Sequence, residues 1–582
     1  MPSTTSRKVK TMKYKSDKVY DIREVASIRD IFESACSLYP ENIAFLRRKA
    51  TELSEIEEIT YTRAHRETVA LATYLNSLHL SGKKIAVIGQ NSYEWSITYL
   101  AVTCGVGVIV PFDKELKPDE ITYLSQDSGI SAIVYSKDVE DKLNGVAESV
   151  LRLPMERFNE YFEKGNALLE NGDTSYQDYT FDPDAMSILI YTSGTTGLAK
   201  GVMLSQTNIA FDVHSTLLRI RVYESDRTLS ILPLHHTYQC MAGFLAFIYS
   251  GASIAFIDSI RHLQQDMLVY QPTIFIAVPL VLESFLKAIQ KKYSKIFAGN
   301  AVFSTQKAIS SLFKLAPSVS KGIFTSVTKA FGGKMRAILC GAAALSPEIY
   351  RAYEAFGLRV FIGYGLTETS PVSIVHNDFY SSPNDVGYPI EGVQAMLVNV
   401  NEDGVGELIL KGKNVMLGYY NNPTETAKVL KDGWFYTGDL ARINKNGSFS
   451  ITGRTKSMIV IQSGKKIFPE ELEYDLEKSH LIKEVLVFGH DEEDGSTQVA
   501  ASIYPDYEKI DLEIGKHKLD KNSEEYKQQV LEIISKVVRD VNRRVPHYKC
   551  IRKIIIKKNE FEKTSTRKIK RVPSNYTEDE TE

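Results

Sequence analysis

Short β-branched runs alternate with stretches of helical period along most of the chain. Ile85-Ala86-Val87-Ile88 reads as a strand, the stretch from Tyr93 to Cys104 as a helix, and Gly107-Val108-Ile109-Val110 as the next strand. That alternation predicts parallel α/β units. From Ser448 the pattern changes to short strands, Met458 to Ile461, Glu484 to Phe488 and Val499 to Tyr504, interleaved with two helices. The second helix carries Tyr526, Val530, Ile533, Ile534, Val537, Val538 and Val541 at helical spacing, with Ser523 as N-cap and Pro546 just past its end. The fold class expected is α/β: a large N-terminal domain of layered sheets and helices over residues 28–453, then a smaller α+β domain over 454–572. An N-terminal extension, 1–27, and an acidic tail, 573–582, flank them.

Composition agrees with two domains. The 582 residues exceed what one core usually organises, and 43% hydrophobic with 24% charged residues is the balance of a globular enzyme. A formal net charge of −2 gives no reason to expect nucleic-acid binding. The cysteines Cys36, Cys104, Cys240, Cys340 and Cys550 are scattered, with no CxxC pair, which argues against a disulfide framework or a structural zinc. No apolar run reaches membrane-spanning length and no signal-peptide core follows the basic N-terminus, so a cytoplasmic protein is expected.

One stretch departs from the charge balance. Between Ser284 and Pro347 lie nine lysines (287, 291, 292, 295, 307, 314, 321, 329 and 334) and Arg336, with no Asp or Glu. Its start reads as an amphipathic helix with Leu282, Phe285, Leu286, Ile289, Tyr293, Ile296 and Phe297 on one face. The plain reading is a helix packed on the core with a solvated lysine face. The sharper one is peripheral contact with an anionic membrane through 284–334.

The string with most chemistry is Ile188-Leu-Ile-Tyr-Thr-Ser-Gly-Thr-Thr-Gly-Leu-Ala-Lys-Gly201. An apolar strand opens into a loop where backbone N–H groups and the hydroxyls of Thr192, Ser193, Thr195 and Thr196 can converge on phosphate oxygens. Gly194 and Gly197 permit close approach. It is not a Walker loop, since Lys200 stands three residues after Gly197 and precedes Gly201. Alone, the string also fits an ordinary Ser/Thr/Gly surface loop.

Three further segments change the weight of that string. It resembles the signature of the superfamily of acyl-CoA synthetases, luciferases and peptide-synthetase adenylation domains. Gly363-Tyr-Gly-Leu-Thr-Glu-Thr369 is similar to the second core motif, and Trp434-Phe-Tyr-Thr-Gly-Asp-Leu440 with Gly453-Arg454-Thr-Lys456 to the third and fourth. Lys563-Thr-Ser-Thr-Arg-Lys-Ile-Lys-Arg571 is similar to the C-terminal lysine motif. The resemblance runs in order from about Ile28 to Arg571.

That resemblance implies a role for each motif. Thr192 and Glu368 would ligate Mg²⁺ bridging the ATP phosphates, a task suited to hard oxygen donors. Tyr364 would stack on adenine, with Gly341, Ala342 and Ala343 as the other wall, and Gly365, Thr367 and Lys200 would complete the nucleotide site. Asp439 would hold the ribose hydroxyls, assisted by Arg454. Lys568 would bridge the substrate carboxylate and the α-phosphate, although Arg567 stands where the family has glycine. Lys456 would be the hinge of a mobile C-terminal domain and Gly464 would lie where the thiol of coenzyme A enters. His236, beside His235, would cover the forming acyl-AMP. Each of these side chains also has an ordinary structural alternative, such as core packing for Tyr364 or a local turn for Asp439.

The substrate clue is an absence. Adenylation domains for amino acids place an Asp near His236, and none lies between Asp226 and Asp258. Val278-Pro279, the basic insertion and Phe331-Gly-Gly-Lys-Met-Arg336 resemble long-chain fatty acyl-CoA synthetases. The reaction expected is ATP-dependent formation of an acyl-AMP from a long-chain fatty acid, then transfer to coenzyme A. The rivals are a fatty acyl-AMP ligase that loads an acyl carrier protein, and a non-catalytic, membrane-associated nucleotide-binding protein.

Overall fold

All four side chains of Ile85-Ala86-Val87-Ile88 are buried in a computed structural model that describes residues 20–49, 52–192, 199–257, 259, 262–294, 327–455, 457–461, 466–492, 497–515, 521, 523–563 and 569–577. They form the strand Lys84–Ile88, flanked on both sides by parallel partners, Val108–Phe112 and Ala132–Tyr135. A strand covered on both faces has no room for alternating polarity, which is why this run is apolar throughout. The connecting helix Tyr93–Gly105 starts where the hydroxyl of Ser92 accepts from the Trp95 amide, and it buries Trp95, Tyr99 and Leu100.

The seven strands of this sheet run in the order Gly418–Tyr419, Lys200–Ser205, Met186–Thr192, Val108–Phe112, Lys84–Ile88, Ala132–Tyr135 and Leu151–Pro154. From Met186–Thr192 to Leu151–Pro154 neighbours are parallel, whereas Lys200–Ser205 runs antiparallel to Met186–Thr192. A five-stranded sheet places Ile274–Ala277, Ala337–Cys340 and Arg359–Gly365 side by side in parallel, followed by antiparallel Val372–Val375 and Tyr388–Pro389. Glu52–Thr60, Ile43–Lys49, Ser253–Phe256 and Arg227–Ser230 form a four-stranded sheet. Two helices touch closely where Gly165 of Phe158–Glu170 meets Tyr61–Ser77. A Cβ there would sit 1.9 Å from the Ala70 carbonyl oxygen.

The chain divides into two compact units. One comprises Met1–Met396, Ile409–Tyr436 and Asn444–Ser450, and the other Leu397–Leu408, Thr437–Ile443 and Ile451–Glu582. In the second unit, Ile482–Asp491, Thr497–Pro505 and Lys553–Ile556 form a three-stranded sheet. The helix Glu524–Asn542 packs on that core with Tyr526, Val530, Ile534, Val538 and Val541 buried, and Ser523 caps it by accepting from the Tyr526 amide. No described helix is long and apolar enough to cross a membrane.

The basic stretch is only partly described, since residues 295–326 lie outside the described set. The helix Pro279–Ser294 buries Leu282 and Leu286, with Phe285 and Ile289 packed against the same core, and its Lys287 pairs with Glu283. Arg336 does not join the exposed lysines. Its guanidinium makes two hydrogen bonds to the Asp226 carboxylate, at 2.9 and 2.5 Å, and one to the Arg221 carbonyl. Asp226 also accepts from Thr273 Oγ1 at 2.6 Å and from the Tyr223 amide at 2.7 Å.

Replacing Arg336 with leucine leaves Asp226, whose side chain is 3% exposed, without its cation. Breaking a buried pair on one side costs about 3–5 kcal/mol, so the urea midpoint of the first unit is expected to fall. An unchanged midpoint would show that the pair adds nothing to stability.

Candidate active site

The phosphate loop is anchored by the reversal in the seven-stranded sheet. Thr192 ends its strand opposite Lys200, the first residue of the antiparallel partner, and its hydroxyl points to the Lys200 carbonyl at 3.5 Å. Gly201 is required beside it, because a Cβ would meet Leu189, Tyr420 and Tyr191 at 2.9 to 3.3 Å. Ser193, Gly194, Thr195, Thr196 and Gly197 lie outside the described residues.

Lys200 extends to Glu425, with Nζ 2.6 Å from Oε2, and lies over the ring of Tyr419 at 5.1 Å. Hydrogen bonds from Lys200 and Lys428 hold the Glu425 carboxyl down to about 2, so it is a carboxylate at neutral pH. Glu368 sits in the 3₁₀ turn Thr367–Thr369, which packs against the strand Lys200–Ser205. Its Oε1 accepts from the Tyr419 hydroxyl at 2.9 Å, and its backbone carbonyl accepts from the Met416 amide at 2.9 Å. Asn414 braces this turn by donating to the carbonyls of Thr369 and Val372, while Ser370 Oγ donates to the Asn414 carbonyl. Gly365 permits the approach of Pro371, whose carbonyl oxygen would lie 1.6 Å from a Cβ.

The residues expected around adenine come together through parallel register. Cys340 pairs with Ile362, so Gly341-Ala342-Ala343, just past one strand, and Gly363-Tyr364-Gly365, the last residues of its neighbour, lie at the same end of the sheet. Tyr364 is half-buried, and Ala342 and Ala343 are exposed. Ala342 holds φ +68°, a left-handed conformation that side chains other than glycine rarely adopt and that recurs at functional loops. The ring of Tyr238 lies against Gly341, whose Cβ would be 3.0 Å from Tyr238 Cζ, and its hydroxyl donates to the Leu339 carbonyl at 2.9 Å.

The two adjacent histidines separate by burial. His235 points inward, with Nε2 3.5 Å from Asp113 Oδ2, and burial together with the neighbouring His236 pushes it down to about 3, leaving it neutral. His236 is half-buried, its ring centroid 4.1 Å from that of His235. A seven-residue π-helix, Gln239–Leu245, comes next, a rare form that often marks functional sites. Asn91 clamps the segment before it. Its amide donates to the Leu232 carbonyl at 2.6 Å and to Ser230 Oγ at 3.0 Å, and its oxygen accepts from the Leu234 amide at 2.9 Å.

The second unit carries the remaining expected residues. Asp439 is buried, with Oδ1 2.8 Å from Arg454 Nε, and the Arg454 side chain is half exposed. Thr437 Oγ1 accepts from the Asp439 amide and donates to the Leu408 carbonyl, which fixes the turn. Lys456, Gly464 and Lys568 lie outside the described residues. Within the lysine motif, Lys563 and Ile569 form an isolated bridge, and Arg571 grips both oxygens of Glu473 at 2.7 and 2.9 Å.

Among the described residues no group of three or more His, Cys, Asp or Glu could hold a metal. The Thr192 hydroxyl and the Glu368 carboxylate are hard oxygens of the kind that Mg²⁺ takes alongside substrate phosphates and water. A cavity of about 530 Å³ lined by Val108, Tyr179, Phe181 and Met186 lies elsewhere. It opens at the start of the strand that ends in Thr192, about 20 Å away along the strand.

Sequence reasoning did not single out Asn91, Tyr419 or Glu425. Glu425 falls in a helix start, Asn422-Pro-Thr-Glu425, in which Asn422 caps Pro423–Val429.

A family model described as AMP-binding enzyme matches residues 32–420, and one described as AMP-binding enzyme C-terminal domain matches 456–577. Fatty acyl-CoA synthetase B of Dictyostelium discoideum is 28% identical, over 86% of this chain and 80% of that protein. The chloroplastic long-chain-fatty-acid–[acyl-carrier-protein] ligase AEE15 of Arabidopsis thaliana is 26% identical, over 85% and 79%. The solved structure of o-succinylbenzoate coenzyme A synthetase from Bacillus subtilis, in complex with ATP and magnesium ion, superposes with a TM-score of 0.69. It is 21% identical over 93% of this chain and 98% of that one, a likeness of fold. With most of its length matched by these models, the chain belongs to the AMP-binding enzyme family.

Proposed function

We propose that this protein activates a long-chain fatty acid with ATP, forming an acyl-AMP and releasing pyrophosphate, and then transfers the acyl group to the thiol of coenzyme A. The observation that carries the reading is the grouping of Thr192, Lys200 and Glu368 around one strand reversal in a chain of the AMP-binding family. A hydroxyl oxygen, a carboxylate and an ammonium are the donor set that a magnesium-bound polyphosphate needs.

In the first half-reaction a carboxylate oxygen attacks the α-phosphorus, and the bond from that phosphorus to the bridging oxygen breaks as pyrophosphate leaves. Thr192 and Glu368 would hold Mg²⁺, which would supply positive charge to offset that on the departing phosphates. Lys200 neutralises phosphate oxygens, and Lys568 is assigned the bridging role between the two anions that must meet. Tyr364 and Gly341-Ala342-Ala343 hold adenine, with Gly365 and Thr367 beside them, and Asp439 with Arg454 orients the ribose. His236 covers the forming mixed anhydride and excludes water. In the second half-reaction the thiol sulfur attacks the acyl carbon and AMP leaves. Residues 454–572 act as a mobile domain that turns on Lys456, removing Lys568 and bringing Gly464 to the thiol path.

A carrier-protein thiol is the second acceptor reading, supported by the likeness to the chloroplastic acyl-carrier-protein ligase. Lys287, on a helix that buries Leu282 and Leu286 in the core, and the further lysines of the sequence 284–334 suit a cytoplasmic enzyme that touches anionic membrane at its periphery.

ATP–pyrophosphate exchange over fatty acids of graded chain length is expected to be fastest with long chains and to give a thioester when coenzyme A is added. Exchange without thioester, restored by a carrier protein, would replace the acceptor, and no exchange with any acid would sink the proposal. Lys568→Ala is expected to lose exchange while converting supplied acyl-AMP and coenzyme A to thioester at close to the wild-type rate. Equal loss of both steps would refute its role in the first half-reaction alone. Binding to anionic vesicles at low salt should disappear when the lysines of 284–334 are neutralised; retained binding would rule out that contact.

A further inference from the structure

Tyr419 touches both Glu368 and Lys200, the first through a hydrogen bond from its hydroxyl and the second through the face of its ring. Its backbone is held from three directions. The strand Gly418–Tyr419 pairs antiparallel with Lys200–Ser205, Tyr419 opposite Val202. Its amide donates to Thr426 Oγ1 at 2.9 Å, and the next amide, of Tyr420, donates to the Gly201 carbonyl at 2.7 Å. These contacts fix the Tyr419 backbone beside the strand that carries Lys200.

Tyr419 is 8% exposed, and its hydroxyl gives its hydrogen to Oε1 of Glu368. The other oxygen, Oε2, accepts no hydrogen bond from a described residue. A carboxylate with one oxygen fixed by a hydrogen-bond donor has the other oxygen directed, which is how partners of a metal ligand orient it. On the same ring, the face of the π-system carries the Lys200 ammonium, whose other contact is Glu425.

We propose that Tyr419 is a positioning residue for nucleotide binding: its hydroxyl aims the Glu368 carboxylate at Mg²⁺, and its ring sets the Lys200 ammonium against the phosphates. This rests on the proposed function, in which Glu368 and Lys200 face Mg·ATP. A purely structural tyrosine would fill the same space through its ring alone, so removing only the hydroxyl separates the two roles.

The test is equilibrium dialysis of labelled ATP against the full-length protein at graded Mg²⁺, with no acid or coenzyme A present. Tyr419→Phe keeps the ring, and its melting temperature should stay near that of the wild type. The Mg²⁺ concentration that half-saturates ATP binding should rise about tenfold, with binding at saturating Mg²⁺ nearly restored. Tyr419→Leu removes the ring as well, and its affinity at saturating Mg²⁺ should fall about fivefold further. Glu368→Gln is the reference for loss of the ligand itself. If Glu368→Gln shifts the Mg²⁺ dependence and Tyr419→Phe does not, positioning by Tyr419 is overturned and the Glu368 assignment stands. If neither variant shifts it, the assignment of Glu368 falls and the proposal falls with it. Should Tyr419→Leu not fold, Tyr419→Phe alone decides the outcome.

Discussion

The candidate site depends on a single change of strand direction. In the seven-stranded sheet the strand Met186–Thr192 has a parallel neighbour on one side and the antiparallel Lys200–Ser205 on the other. Antiparallel partners face each other residue by residue, so Thr192 and Lys200 are set opposite at the mouth of the loop. The space left by Gly201, bounded by Leu189, Tyr191 and Tyr420, fixes the register. A slip of one residue would drive the side chain of Lys200 or Val202 into that space. Gly418–Tyr419 then adds to the same edge and brings Tyr419 to Glu368 and Lys200.

Charge explains why so many of these groups are paired. Glu368, Lys200 and Glu425 lie partly out of water, where an isolated charge is costly, and each has a partner within hydrogen-bond distance. In the second unit Asp439 is buried and held by Arg454, which leaves a carboxylate oriented by protein rather than by solvent. Such pre-set charges need little rearrangement when a polyanion arrives, and this is the main physical means by which phosphoryl chemistry is accelerated.

Much of the fold was legible because burial dictates periodicity. The runs at Ile85, Gly107, Glu484 and Val499 became strands, and the spacing from Tyr526 to Val541, with Ser523 as cap, became a helix. Close approach left its mark in the sequence at Gly365, where the Pro371 carbonyl leaves no room for a Cβ, and at Gly201 beside Thr192. Other features depend on contacts between distant parts of the chain. Asn91 acts on a segment near Leu232, Tyr419 acts on Glu368, and Arg336 turns from a basic surface run to Asp226, across a separation of 110 residues. The π-helix Gln239–Leu245 has no sequence period that distinguishes it from an α-helix. His235 and His236, indistinguishable as neighbours in sequence, are separated by burial in the folded chain.

Adenylation requires that a carboxylate oxygen of the substrate become bonded to the α-phosphorus of ATP. A fatty acid labelled with ¹⁸O in its carboxyl group, turned over with ATP and coenzyme A, tests this directly by mass spectrometry of the products. An acyl-AMP intermediate places one labelled oxygen in AMP and none in pyrophosphate. Unlabelled AMP, with the label recovered in inorganic phosphate or pyrophosphate, would contradict that chemistry.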